Sequence, residues 1–204
     1  MDFKFHFENA WKVFTTHLVA LLISTIALVG VSIITLGIMA PVVTAGYMQS
    51  LLLAMRDGRK PEVRDLFAHM DLFLPLLGFA ILVGLAIFVG LVMLVLPGLL
   101  VILAVAFFCM YMLPLMTDGG MSLFDALKES GRMAMQPPVS EHLVVIAVYL
   151  VLSSIGNSTG LGALFTQPFV TLFVLSVYET KLTRLLPGPQ PQTGNEPSPP
   201  PSGK

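Results

Sequence analysis

Histidine, serine, methionine and cysteine are the side chains through which this chain could do chemistry, and their spacing suits none of it. His6, His17, His69 and His142 stand far apart, with no HExxH and no paired-histidine helix motif. Asp65 and His69 are four residues apart, with Asp71 nearby. That is half a metal site at most, and a solvated polar face is the simpler reading. Glu141-His142 reads as a helix start. Ser153, Ser154 and Ser158 flank a glycine-rich turn, but no GxSxG surrounds them and no histidine is placed as their base. Met93, Met110, Met112 and Met116 could offer thioethers to Cu(I). Without Cys or His at matching depth they read as adaptable packing. Cys109 is the only cysteine, so no intrachain disulfide can form. The expectation is a non-enzymatic protein with no catalytic, metal-binding or cofactor-binding residue.

The elements that would have to position such residues are written in the charge pattern. The 11 Lys and Arg and 12 Asp and Glu residues fall in four clusters: 2–12, 56–71, 118–141, and 179 onward. Between them, 13–55, 72–117 and 142–178 carry no charge over 43, 46 and 37 residues. One membrane-spanning helix needs only about 20 apolar residues. Each stretch is therefore long enough to cross twice and return to the side it left. A charged fraction of 11% and a mean hydropathy of +0.85 agree with an integral membrane protein. The net charge of −1 argues against nucleic acid as a partner.

Each empty stretch has a breaker near its middle: Leu36-Gly37 through Pro41, then Pro97-Gly98, then Gly156-Asn157-Ser158-Thr159-Gly160. This predicts an all-α membrane fold of six transmembrane helices, about 17–38, 41–56, 73–95, 97–116, 142–157 and 161–182, the last interrupted at Gln167-Pro168. The apolar run after Lys12 is too long for a signal peptide core, so the first helix is expected to stay.

Each of the first three clusters reads as an amphipathic helix lying in the interface. In the first, Phe3, Phe7, Trp11, Phe14 and Leu18 form the apolar stripe, with Lys4, Glu8 and Lys12 off it. In the second, Pro61 opens a helix whose apolar face is Val63, Leu66, Phe67 and Met70, with Glu62, Arg64 and Asp65 off it. In the third, Ser122 to Asp125 is a capping-box-like start, and Leu123, Phe124, Leu127, Gly131 and Ala134 share a face. The step from Asn9 to Pro41 equals that from Asp65 to Pro97, and from Asp125 it lands on Asn157. The chain thus reads as a tandem unit of interfacial helix and hairpin used three times, over about 1–56, 57–117 and 118–183, in one membrane domain 1–186.

The positive-inside rule puts every charged cluster on the cytoplasmic side, with both termini. Residues 187–204 form a Pro-rich tail with a PxxP match at Pro197 and Pro200, expected to be disordered and cytoplasmic.

The order Pro97-Gly98, Asp118-Gly119, Ser122, Asp125-Ala126-Leu127-Lys128-x-Ser130-x-Arg132 resembles uncharacterised bacterial six-helix inner-membrane proteins. That group is related to the membrane domain attached to some glycerophosphodiester phosphodiesterases. The likeness spans roughly residues 1–183 and implies a helical fold in the bacterial inner membrane. It brings no catalytic residue, and the phosphodiesterase domain itself is absent.

The function to expect is contact with membrane lipids, a protein partner or a second copy of the chain through the cytoplasmic helices. The residues that would carry it are Phe3, Phe7, Trp11, Lys12, Arg56, Arg59, Lys60, Arg64, Lys128 and Arg132. Asp57, Glu62 and Asp65 offset the four cations around them. The alternative is a channel or facilitator for a small or apolar solute. The absence of ionisable groups from the expected spans argues against proton coupling.

Overall fold

A computed structural model describes residues 3–93, 95–158 and 162–185. All of its regular structure is helical: α1 (Phe3–Thr16), α2 (Leu18–Ile34), α3 (Ala40–Asp57), α4 (Phe73–Met93), α5 (Val95–Phe108), α6 (Met112–Thr117), α7 (Leu123–Ala134), α8 (Val139–Ser158) and α9 (Gly162–Leu185), with 3-10 turns at Val63–Phe67 and Met70–Leu72. Consecutive helices pair, α2 with α3, α4 with α5 and α8 with α9.

Helices α3 and α9 form the centre and touch each other, while α1 and α2 lie on α9. Val43, Tyr47, Leu51 and Leu52 of α3 and Leu172, Leu175 and Val177 of α9 are fully enclosed. The α4/α5 hairpin is the opposite case. In the apolar segment leading through α4, only 6% of residues are buried, against 61% in α9. A helix apolar all round and bare of protein neighbours is built to face lipid.

Among the described residues, three helical segments are long and apolar enough to cross a membrane: Val63–Met93, α8 and α9. A fourth arises if α1 and α2, which meet at an 88° bend, count as one broken span. This is fewer than the six continuous spans expected. Helix α3 falls short because Thr44, Tyr47, Gln49 and Ser50 sit in its middle, which its neighbours allow by shielding it from lipid. Helix α5 has 14 residues because the chain leaves the helix at Cys109 and resumes at Met112.

The breakers match the expected places only in part. The first is as read: Leu36 and Gly37 take positive φ (50° and 83°) and Pro41 sits in the first turn of α3. In the second hairpin α5 already begins at Val95, so Pro97 and Gly98 lie inside it. A Pro in a first turn removes no helical bond. Gly98 serves the close crossing of α4, where a Cβ on Gly90 would lie 2.8 Å from the Gly98 Cα. Asn157 is inside the last turn of α8, and α9 runs through Pro168 without interruption. Thr159, Gly160 and the tail 187–204 lie outside the described residues.

Candidate functional surface

The charged ends of three elements meet at one end of the bundle. Arg56, at the C-terminus of α3, donates from Nη2 to Asp118 Oδ2 at 2.9 Å and from Nε to Glu179 Oε1 at 2.8 Å. The Tyr178 hydroxyl donates to the same Asp118 carboxylate at 3.5 Å. Arg56, Asp118 and Glu179 come from three different charged clusters, and each stands at the edge of an uncharged stretch. The planar guanidinium suits such a double engagement. Nearby, Arg184 of α9 lies 3.6 Å from Glu141 of α8.

A second lock fixes the loop after α3. Asp65 accepts from Ser50 Oγ at 2.9 Å, from Arg59 Nη2 at 2.5 Å and from the Glu62 amide at 3.2 Å. The Asp65 hydrogen bond holds the Arg59 guanidinium above its ordinary pKa. Leu66 beside it is fully enclosed against α3. The expected amphipathic helix from Pro61 is therefore a pair of 3-10 turns packed on the bundle, and Asp65 is buried rather than solvated. Closure of the carboxylate onto Ser50 and Arg59 wins over helix propagation, since a buried carboxylate must be hydrogen-bonded.

A third polar group is enclosed among α5, α7, α8 and α9. His142, fully buried, donates from Nε2 to the Phe107 carbonyl at 2.9 Å, so its bare Nδ1 accepts from the Tyr111 hydroxyl at 3.2 Å. Lys181, 3% exposed, donates to the Met133 carbonyl at 2.7 Å, near the C-terminus of α7. Ser130 Oγ accepts the Tyr111 amide at 3.2 Å, satisfying the backbone where α5 ends. These side chains carry structural hydrogen bonds.

Helix α1 lies on α9 with His6, Ala10 and Phe14 inward. His6 Nδ1 and Ser176 Oγ are 2.8 Å apart, and Asn9 Nδ2 donates to the same oxygen. Phe7, Trp11 and Phe14 each meet Phe169 edge-on. The aromatic stripe thus borders the buried face instead of defining it. In α7, Ser122 caps as expected and accepts from the Asp125 amide. Its buried face is Ala126, Ser130, Met133 and Ala134, and Phe124, expected on that face, is 80% exposed.

Of the ten candidate contact residues, Phe7, Trp11, Lys12, Arg56, Lys60, Arg64, Lys128 and Arg132 are exposed, and Phe3 and Arg59 are half-buried. Arg56, Arg59, Arg64 and Arg132 are each ion-paired, with Asp118 and Glu179, Asp65, Glu62 and Glu129. Lys12, Lys60 and Lys128 have no ion pair among the described residues. Sequence reasoning missed the roles of Asp118, Glu179, Lys181 and His142. A signal for the first two exists, because each, like Arg56, is the charge that ends a long uncharged stretch. Among the described residues no group of three His, Cys, Asp or Glu side chains converges as a metal site.

An apolar recess of about 230 Å³ opens between α3, α5, α8 and α9 and is lined by Met48, Val105, Cys109, Leu113 and Val174, with Thr44, Gln167 and Thr171. No family model, curated protein or solved structure matches this chain.

Proposed function

We propose that this chain is a non-enzymatic integral protein of a bacterial inner membrane that binds lipid or a protein partner on its cytoplasmic face. Its six crossings are α2, α3, α4, α5 continued by α6, α8 and α9, arranged as three tandem hairpins with both termini cytoplasmic. The observation that carries this reading is the meeting of Arg56, Asp118 and Glu179. Three charged clusters reach one end of the bundle, as two crossings per uncharged stretch require. The same end holds α1 and α7, whose exposed Phe7, Trp11, Phe124, Lys12 and Lys128 suit an interface of headgroups and acyl chains. The resemblance to uncharacterised bacterial six-helix proteins supports the placement.

The alternative, a channel or facilitator for a small or apolar solute, draws on the recess beside Cys109 and Gln167. Behind it, Leu51, Leu172 and Leu175 fill the centre of the bundle, which opposes a through path. Topology is tested with Asn157→Cys in a Cys109→Ala background, labelled in whole cells by a maleimide that cannot cross membranes. Labelling without permeabilisation is expected, and labelling only after it would defeat the six-crossing reading. Function is tested by identifying lipids and proteins that co-purify with the full chain. Specific enrichment of either is expected, and purification with neither defeats the binding reading.

A further inference from the structure

We infer that the elbow between α1 and α2 binds an anionic glycerophospholipid, with the lipid phosphate at Lys60 and an ester carbonyl at Ser24. This rests on the lipid-binding reading above and narrows it to one place. Two clefts meet at the elbow and share Ala20 and Lys60. The outer, about 360 Å³, is bounded by Thr16, His17 and Leu18. The inner, about 200 Å³, passes Ile23 and Ser24 to reach the 61–63 segment.

Three independent features point to the ligand. First, α2 begins at the 88° bend, and His17 at its N-cap makes no side-chain capping hydrogen bond. The positive end of the α2 dipole is thus left for an anion. Second, Lys60 has neither ion pair nor side-chain hydrogen bond among the described residues. Of the acids nearby in sequence, Glu62 is engaged by Arg64 and Asp65 by Arg59 and Ser50, and among the described residues Asp57 forms no ion pair with Lys60. Third, Ser24 lines the inner cleft, is 1% exposed, and its Oγ has no hydrogen-bond partner. A buried hydroxyl is rarely left unpaired without a reason.

Ser24 lies one turn beyond Ala20, roughly 6 Å deeper along α2. A bare phosphate at Lys60 leaves Ser24 unused. A glycerophospholipid supplies both groups, the phosphate outside and an ester carbonyl to accept from Ser24 about a turn deeper. Val19, Ile23 and Ile26, exposed at 68%, 52% and 55%, then form an apolar wall for its acyl chains.

The test is native mass spectrometry of the full chain in detergent, titrated with dioleoylphosphatidylglycerol, dioleoylphosphatidylcholine and inorganic phosphate. Phosphatidylglycerol is expected to be retained over phosphatidylcholine. Lys60→Gln is expected to weaken phosphatidylglycerol about fivefold, as for one lysine facing an anionic surface, and Lys60→Arg to preserve it. Ser24→Ala is expected to weaken both lipids, which share the ester. Lys60 is exposed, so its variants leave the fold intact and decide the matter even if Ser24→Ala misfolds. Unchanged retention in Lys60→Gln with a loss in Lys128→Gln moves the contact to α7, overturning this site and sparing the broader reading. Displacement of phosphatidylglycerol by equimolar inorganic phosphate marks a free-anion pocket and overturns the lipid assignment. No preference for phosphatidylglycerol in any form of the protein overturns the site as well, and equal release of both lipids by every form counts against the broader reading.

Discussion

Gly46→Ala tests how the loop after α3 is held. A Cβ on Gly46 would lie 2.5 Å from the carbonyl oxygens of Asp65 and Leu66 and 2.7 Å from the Leu66 carbonyl carbon. These are backbone atoms and cannot swing aside. The segment must retreat by roughly 1 Å to reach ordinary contact, and overpacking of this kind costs about 1–3 kcal/mol. Retreat also pulls Asp65 from Ser50, and a buried hydrogen bond to a charged group contributes about 1.5–3 kcal/mol. Alanine returns about 1 kcal/mol as the better helix former. The net loss is about 1.5–5 kcal/mol, or roughly 3–20 °C in apparent Tm for a chain of this size. Gly30→Ala is the control, because nothing lies within 4 Å of a Cβ there. Thermal unfolding of the three purified proteins in one detergent measures both. Gly46→Ala melting at or above wild type, or alongside Gly30→Ala, would refute the reasoning.

Two further perturbations probe the bundle. Thr25 Oγ1 donates to the Leu21 carbonyl and so accepts from the buried Tyr47 hydroxyl at 2.9 Å. Thr25→Val is therefore expected to cost about 1–3 kcal/mol by orphaning that hydroxyl, and Tyr47→Phe about 1 kcal/mol or less, an order that thermal melts can read directly. Arg56→Ala strands Asp118 and Glu179 and is expected to destabilise by about 2 kcal/mol, less than a fully buried pair because the network is partly exposed. Arg56→Lys is expected to restore under half of that, since an ammonium cannot engage two carboxylates as a fork does; full rescue in the same melts would sink this account of the network.

Much of the helical layout was legible in the chain. Uncharged stretches of about 40 residues must be buried in lipid or protein whatever their partners, and Gly37 and Pro41 turn the first one because few other residues tolerate that backbone. The Ser122 cap was equally local, a hydroxyl three residues before the amide it meets. The faces of α1 and α7 were not legible. Both helices have apolar residues on more than one side, so the choice between Phe3-Phe7-Trp11 and His6-Ala10-Phe14 depends on what α9 offers, a Ser176 hydroxyl and the Phe169 ring.

The sequence by itself determined the long apolar stretches, the helical content and the sorting of charge into four clusters, because these follow from composition and from local backbone limits. Tertiary structure alone decided which helices are central, that Pro97 and Gly98 lie within α5, and which cations find an acidic partner among the described residues. Helix α3 could be largely enclosed and among the more polar at once only because neighbours shield it. Arg56, Arg59 and Arg64 were indistinguishable from Lys60 along the chain. Packing gave three of them acidic partners and left Lys60 beside the uncapped start of α2, since ion pairing depends on distance in space and not on order in sequence.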